Sequence, residues 1–349
     1  MLRDQDSEPI DATVVEELGL SAIDVPTLNA YRTMLRARRP DHPWLDLLDD
    51  EFLWRLGAAD RLRGSRESHP TRAGLLMFGD ERYISREFAA YALDFRLIND
   101  PQERRWDDRL MSSDGTWPGN VFGFWARVIA KLVDSLPTAF AMPDGITRLD
   151  DTPLRKAVRE ALANTLCHAD YLGRIGVTVV RHGNASIEFR NPGGLRLDLD
   201  LVERGGLSDV RNPSIMKMFN LLGIGEKAGS GFDTMCQGVR SVGLPDPKLI
   251  EEFDPDRTTL ILPITSIADA PVSGEKSGEA SASVNVLTPT ERIAALLSSG
   301  DSYKTSQIAK TIGLSEQRTR VLLRQVLDSG MIRKQGSGRG ATYVQALSD

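Results

Sequence analysis

Six segments of the chain before residue 260 carry apolar residues at helical spacing. Such spacing predicts helices, because side chains three or four residues apart share one face of a helix. A proline or a glycine directly follows each of the first three segments and ends the helix there. The predicted helices cover 27–39, 49–56, 120–136, 153–168, 211–222 and 232–242.

Strands are predicted where apolar residues alternate with polar or small ones. Residues 91–97 alternate in this way. The β-rich runs 176–181 and 185–190 are separated by His-Gly-Asn, which is typical of a tight hairpin. An apolar run at 258–264 predicts a buried strand. Helices and strands in this order predict an α+β protein.

Residues 266–286 interrupt both patterns. Ser, Ala, Gly and Glu replace any hydrophobic period in this stretch, and this composition is typical of a flexible linker. We therefore predict four parts: an N-terminal α+β region at 1–150, a second region at 151–265, the linker, and a C-terminal domain at 287–349.

Charge separates these parts further. The chain has 43 Lys and Arg against 49 Asp and Glu, a net charge of -6, which excludes a uniformly basic protein that coats nucleic acid. Residues 287–349 hold nine basic and five acidic residues, so this tail is net +4 and the rest of the chain is net -10. Any contact with nucleic acid is therefore expected in the tail.

The first residues and the cysteines bear on location. The chain begins with an acidic segment, so we predict no signal peptide. No apolar run approaches the roughly 18 residues that span a bilayer. Cys167 and Cys236 lie in apolar-periodic stretches and predict neither a disulfide framework nor a cysteine-rich zinc site. The expectation is a cytoplasmic protein without a membrane partner.

Glu160 and Asn164 are four residues apart on the predicted helix 153–168, on the side opposite its apolar arc. Small residues flank them, so a ligand could approach the helix between the two side chains. A carboxylate and an amide oxygen at this spacing suit Mg²⁺ carried in with phosphates, and the carboxylate could instead orient a water molecule. A solvated helix face without any ligand is the alternative.

Two glycine-containing turns follow this helix. Residues 191–194 (NPGG) end the predicted hairpin, and the paired glycines let the backbone approach a ligand closely. The loop 225–231 (GEKAGSG) opens directly into the helix 232–242, and the free N–H groups of a helix N-terminus bind anions. The loop has neither the Walker sequence nor the dinucleotide-binding fingerprint. Purely structural turns are the alternative.

Four motifs, in this order along the chain, resemble one family. They are REALANTLCHADY (159–171), EFRNPGGL (188–195), RNPSIMKMFNLLGIGEKAGSGFDTM (211–235) and GLPDP (243–247). These motifs are similar to the GHKL-type ATP-binding domain of Schlafen/AlbA-type transcriptional regulators, a domain named after a RecG-like C-terminal region. The resemblance implies a GHKL-like α/β sandwich as the body of the protein.

The resemblance also implies ligands and roles. The ligands would be ATP and Mg²⁺, with Asn164 binding the metal ion and Glu160 orienting the attacking water. Asn191 stands where the family has an Asp that binds the adenine amino group, and an amide can accept the same hydrogen bond without a charge. The other nucleotide contacts implied by the resemblance are Gly193, Gly194, Gly229, Ser230 and Gly231.

The segment TRAGLLMFG (71–79) is also similar to this family, in which it follows an AlbA-like nucleic-acid-binding domain. Only 70 residues precede it here. We therefore expect that the AlbA-like domain is lacking, and its activity is not carried over to this protein.

The tail predicts a winged helix-turn-helix domain, because three helices are followed by a hairpin with a glycine-rich tip. The helices are 288–297, 303–311 and 315–327, and the hairpin strands are 331–334 and 341–344. Arg pairs with guanine and Gln with adenine in the major groove, and a basic wing contacts phosphates. A winged helix that contacts another protein is the alternative. The expected contacts with double-stranded DNA are Gln317, Arg318, Arg320, Arg324, Arg333, Lys334 and Arg339.

Three hypotheses follow. The first is a DNA-binding transcriptional regulator in which an ATP-binding sensor or dimerisation domain is coupled to the winged helix, and which binds a two-fold operator as a homodimer. The second is a Mg²⁺-dependent ATPase that the tail localises on DNA. The third is a degenerate GHKL scaffold that binds a partner protein and no nucleotide.

Overall fold

The computed structural model describes most of the chain and divides it into two compact units, 1–271 and 272–349, which are treated separately below. None of the helices in the described parts is long and apolar enough to cross a membrane. The described residues are 9–100, 105–133, 136, 152–225, 229–265, 293, 296–297, 302–312, 316–328, 331–336 and 341–345.

The first unit contains nine regular helices and eight strands within these described residues. The helices are α1 (Val25–Arg38), α2 (Asp49–Leu56), α3 (Arg72–Phe78), α4 (Glu81–Glu87), α5 (Val121–Val133), α6 (Pro153–His168), α7 (Leu199–Arg204), α8 (Pro213–Leu221) and α9 (Gly231–Arg240). The strands are β1 (Ala59–Arg61), β2 (Ser68–Pro70), β3 (Leu93–Ile98), β4 (Asp108–Met111), β5 (Val177–His182), β6 (Ser186–Pro192), β7 (Lys248–Glu252) and β8 (Arg257–Pro263).

A six-stranded mixed sheet organises the first unit, in the order β4-β3-β5-β6-β8-β7. Strands β3 and β5 are parallel, with Phe95 opposite Val179, and the other neighbouring pairs are antiparallel. Because β3 lies before residue 150 and β5 after it, the two regions divided there by sequence share one sheet. Their buried apolar residues also form one hydrophobic core. The architecture is mixed α+β.

The predicted helices of this unit are present, with small shifts at their ends. Helix α2 covers the predicted residues and ends at Gly57, whose φ of 80° is left-handed. Helix α6 also covers the predicted residues, and its N-cap Thr152 accepts a hydrogen bond from Arg155 N. Strand β7 was not predicted, because it is an edge strand whose residues are exposed or only half-buried.

The second unit contains two helices and a small sheet within its described residues. They are β9 (Tyr303–Lys304), α10 (Thr305–Ile312), α11 (Glu316–Asp328), β10 (Ile332–Gln335) and β11 (Thr342–Gln345). The sheet order is β10-β11-β9, and both pairs are antiparallel.

Two expectations for this unit change. The second predicted helix begins at Thr305 rather than Tyr303, because Tyr303 pairs with Tyr343 of β11 as part of the sheet. The first predicted helix, 288–297, lies outside the described residues except at three positions. Two of these, Ile293 and Leu297, are buried in the core of this unit together with Leu323.

Candidate functional site

One cavity in the first unit brings together most of the predicted site residues. It lies beside α6 and has a volume of about 150 Å³. The remaining wall combines ten apolar residues with seven polar or charged ones. The predicted residues on its wall are Glu160, Asn164, Asn191, Gly194, Gly229 and Gly231.

Glu160 and Asn164 form a hydrogen-bonded pair on α6. Asn164 Nδ2 donates to Glu160 Oε1 at 3.1 Å. This donation orients the amide, so that its Oδ1 is the atom available to a cation. Glu160 is only 5 % exposed, so the solvated-face alternative is wrong for this carboxylate.

The small residues that flank this pair on α6 were expected to let a ligand approach, but they pack against another helix. Helix α9 packs along α6, and a Cβ on Gly238 would lie only 2.4 Å from Ala157 Cβ. The small side chains therefore allow the two helices to approach closely. A ligand can reach the Glu160–Asn164 pair from the cavity and not across this side of α6.

The first residue of α9, Gly231, lies directly against the pair. A Cβ at this position would be 2.6 Å from Asn164 Nδ2 and 2.7 Å from Glu160 Oε1, so a larger residue would displace both side chains. The N-terminus of α9 is thereby held next to a carboxylate and an amide. Ser230 is the N-cap residue, but its side chain does not cap the helix and is not on the described wall of the cavity.

Gly229 joins two loops through their backbones. Its φ is +87°, and a Cβ would lie 2.4 Å from Leu207 N. Gly206 N donates a hydrogen bond to Gly229 O at 3.0 Å. Residues 226–228, from the same glycine-containing loop, lie outside the described residues.

Gly193 and Gly194 differ in their positions. Gly193 has a φ of +92° and faces Arg211, whose Nη2 would be 2.9 Å from a Cβ there. It is not on the described wall of the cavity. Gly194 is on the wall, and its carbonyl accepts a hydrogen bond from Arg211 Nη2 at 3.0 Å.

Asn191 is buried, at 7 % exposure, and lies on the wall of the cavity. Within the described part of the chain, its amide has a single hydrogen bond, from Nδ2 to Pro192 O at the long distance of 3.5 Å. Buried polar groups nearly always have hydrogen-bond partners. The amide therefore leaves a donor and an acceptor for a molecule in the cavity.

Thr258 is a wall residue that sequence analysis missed. It lies opposite Asn191 in the pairing of β6 and β8. Its hydroxyl donates to Gly193 O at 2.9 Å, so its oxygen is an acceptor towards the cavity. The sequence signal was weak, because Thr258 belongs to a run predicted only as a buried strand.

His168 and Arg211 are two more wall residues outside the predicted set. Arg211 Nε donates to His168 O at 3.2 Å. Burial and the nearby Arg211 charge lower the pKa of His168 to about 4. The imidazole is therefore neutral at pH 7, and Arg211 contributes the positive charge at this part of the wall.

Glu160 and Asn164 offer too few oxygen ligands to hold a cation without a bound ligand that supplies others. Within the described residues, no group of three or more His, Cys, Asp or Glu side chains could hold a metal ion. Glu160 and Asn164 offer oxygen atoms, which Mg²⁺ prefers, but Mg²⁺ usually completes its shell with phosphates and water. The residues fit an ion that enters with phosphates.

The predicted DNA-binding residues are partly described. Arg320 and Arg324 lie four residues apart on α11 and are exposed, and Arg333 and Lys334 are exposed on β10. Gln317 and Arg318 belong to α11, but the structure does not describe their side chains. Arg339 lies outside the described residues.

Three family models match separate parts of the chain, and none covers half of it. Residues 1–94 match a domain of unknown function (DUF8451), and residues 289–348 match the family "FaeA-like protein". Residues 180–262 match the family "Putative ATP-dependent DNA helicase recG C-terminal", which fits the GHKL-like resemblance. A search of curated proteins gives no match.

Among solved structures, the chain is similar to the DIP2311 protein from Corynebacterium diphtheriae. The TM-score is 0.55 at 17 % sequence identity. The match covers 98 % of this chain and 65 % of that one, so this chain spans about two thirds of its length. At this level of identity, the similarity shows the fold alone.

Proposed function

We propose that the protein is a DNA-binding transcriptional regulator whose first unit binds ATP with Mg²⁺ as an effector. One observation carries the nucleotide part: a single cavity combines the Glu160–Asn164 pair, the glycine start of α9 and the amide of Asn191, which has one long hydrogen bond. The match of residues 180–262 to the recG C-terminal family supports it.

Each part of the cavity has a role in this proposal. Asn191 receives the base, since its amide can accept from an amino group and donate to a ring nitrogen. The N-terminus of α9 receives phosphate groups, because its N–H groups and dipole favour anions. Asn164 Oδ1 contacts the Mg²⁺ that the phosphates carry.

Calorimetric titration with ATP tests the nucleotide proposal. With Mg²⁺ present we expect saturable binding of one ATP per chain, and with EDTA we expect weaker binding, because the ion bridges the phosphates to Asn164. The matched control is Asn29→Ala, an exposed amide on α1. Absence of binding at millimolar ATP would leave the scaffold hypothesis in place of this one.

We also propose that the second unit binds double-stranded DNA. The support is the exposed basic set on α11 and β10, with the expected Gln317, Arg318 and Arg339 completing it. The net charge of +4 in this part of the sequence, against -10 in the rest, agrees with that assignment. Binding as a homodimer and location in the cytoplasm belong to the same proposal.

An effector role requires that ATP change DNA affinity. We expect the dissociation constant for a selected DNA sequence to differ with and without Mg-ATP, and to stop differing in Asn164→Ala. Fluorescence anisotropy with labelled DNA measures this. An ATP-independent affinity in a chain that binds ATP would contradict the effector role.

A second candidate is a Mg²⁺-dependent ATPase. It is favoured by the burial of the Glu160 carboxylate beside Asn164, where it could orient a water molecule. Glu160→Gln should then bind ATP and release no phosphate, whereas the wild type releases phosphate when Mg²⁺ is added. Equal phosphate release by both proteins would exclude the role of Glu160.

A further inference from the structure

Residues 211–215 contact the main cavity, the C-terminal end of α6 and the N-terminal residue Asp11. Arg211 lies on the cavity wall and donates to the carbonyls of His168 and Gly194. The next residue, Asn212, is the N-cap residue of α8. Its side chain does not cap α8 but donates to Cys167 O at 2.9 Å and Ala169 O at 2.7 Å. This segment thus holds the C-terminal end of α6 and the glycine turn after β6.

The cap of α8 comes from a distant part of the chain. Asp11 Oδ2 accepts hydrogen bonds from Ser214 N at 2.8 Å and Ile215 N at 3.1 Å, and Asp11 Oδ1 accepts from Ser214 Oγ at 3.2 Å. These N–H groups in the first turn have no partner within the helix. A carboxylate at this end is also favoured by the helix dipole.

Asp11 is 2 % exposed, so its carboxylate is kept in a costly environment. Burial raises its pKa, while the hydrogen bonds from Ser214 and Ile215 act in the opposite direction. Removing Asp11 would leave the N–H groups of half-buried Ser214 and buried Ile215 without their acceptor, and leaving a buried donor unpaired costs more than the net value of its hydrogen bond.

A second, smaller cavity lies on the Asp11 side of the segment. Its volume is about 70 Å³, and Asp11, Arg211 and Asn212 are on its wall. Arg211 borders both cavities. The 211–215 segment therefore separates the main cavity from the N-terminal residues, and its position depends on hydrogen bonds from both sides.

We propose that Asp11 is a positioning residue for the nucleotide cavity, which it controls by fixing the start of α8 and, through it, Arg211 and Gly194. This inference rests on the proposed nucleotide function. Asp11 belongs to the part that matches a domain of unknown function. This N-terminal part would therefore influence ligand binding through the start of α8.

The test compares Asp11→Ala with Asp24→Ala. Asp24 is a matched control, because its Oδ2 accepts from Thr27 N and Oγ1 at the start of α1, and α1 contributes no residue to the described wall of the cavity. Both variants should lower the midpoint of thermal unfolding. At a temperature where circular dichroism shows both folded, Asp11→Ala should bind Mg-ATP about tenfold more weakly, and Asp24→Ala should match the wild type.

A double-mutant cycle separates positioning from general destabilisation. If Asp11 acts through Arg211, Asp11→Ala should have little further effect on ATP affinity in an Arg211→Ala background. Additive effects would contradict the route through Arg211. Failure of the wild type to bind ATP would overturn the proposed function, whereas equal affinity of wild type and Asp11→Ala would overturn this inference alone.

Discussion

Asn191 is the residue of the candidate site whose hydrogen bonding is expected to change most when a ligand binds. It is buried against the cavity with one long hydrogen bond, whereas Asn212, equally buried, makes two good ones. An amide with one long hydrogen bond contributes little to stability, and an apolar group of similar size can replace it at little cost. The same amide becomes favourable when a ligand pairs with it.

Asn191→Leu should therefore leave the thermal stability of the ligand-free protein unchanged or raise it, and should weaken ATP binding by about 1 to 3 kcal/mol. Asn212→Leu is the control, and it should be destabilised because it leaves Ala169 O without its donor and Cys167 O with only the hydrogen bond from the backbone N of residue 212. Thermal unfolding and calorimetric titration measure the two effects. Similar destabilisation of both variants would show that Asn191 has a structural role.

A substitution at Gly231 distinguishes an effect on the candidate site from an effect on the stability of helix α9. In Gly231→Ala the new Cβ meets only the terminal atoms of Asn164 and Glu160, which can move. Alanine also favours the helix by up to about 1 kcal/mol. We expect a folded protein that has lost Mg²⁺-dependent ATP binding.

Gly238→Ala is the matched control on the same helix. Its Cβ would lie 2.7 Å from Pro153 O and 2.4 Å from Ala157 Cβ, which are a backbone atom of α6 and a buried side chain and cannot move freely. We expect a clear loss of thermal stability in this variant. Tight ATP binding by Gly231→Ala would contradict the arrangement of the site.

His168 predicts a pH dependence of stability. Its pKa is lowered from 6.5 to about 4 in the folded protein, so the unfolded chain binds a proton first as the pH falls. This contribution to stability is present above pH 6.5 and is lost as the pH falls towards 4. Between pH 7 and pH 5 the loss is about 2 kcal/mol.

His168→Gln should lose less stability over the same interval, because the titrating group is gone. Urea unfolding at pH 7 and pH 5, in wild type and variant, gives the difference directly. Other titrating groups, such as His42 and Asp11, contribute equally to both proteins and cancel. The same pH dependence in both would mean that His168 titrates normally in the fold.

At the scale of elements, helix α11 is the one expected to make base-specific contacts with DNA. Arg320→Ala should weaken binding to a sequence selected from a random library by about 1 to 3 kcal/mol, if Arg320 contacts a base edge. Binding to mixed-sequence DNA should change much less. Lys334→Ala, on β10, is the control and should affect both DNAs alike through phosphates, so an equal response of both variants would contradict base recognition by Arg320.

Elements formed by local patterns could be predicted from the sequence. The bounds of α2 and α6 follow from apolar spacing, from Gly57 at the end of α2 and from the proline that begins α6. The strands β7 and β9 could not be predicted, because their residues are exposed or half-buried and their sequences show no clear apolar period. Long-range contacts were also hidden: nothing near Asp11 in the sequence indicates that it caps α8, some 200 residues away.

The candidate site shows the same division between local and distant information. The pairing of Glu160 and Asn164 follows from helical spacing, since residues four apart lie side by side. The burial of Glu160 next to α9 does not, because it depends on a helix that lies far along the chain. Thr258 and Arg211 join the site only through tertiary structure.

At the scale of the whole molecule, charge and ligand chemistry are assigned to different parts of the chain. The basic residues expected to contact DNA belong to the tail, and the cavity belongs to the first unit, in the acidic part of the sequence. The central claim is that this cavity binds ATP with Mg²⁺ through Asn164.

Thermal unfolding with and without Mg-ATP tests that claim most directly. A ligand that binds only the folded state adds about 2.7 kcal/mol at a concentration 100-fold above its dissociation constant. We predict that Mg-ATP raises the unfolding midpoint of the wild type and of the control Asn29→Ala, and that this rise is lost in Asn164→Ala. No rise in the folded wild type at millimolar Mg-ATP, or an equal rise in Asn164→Ala, would contradict the claim.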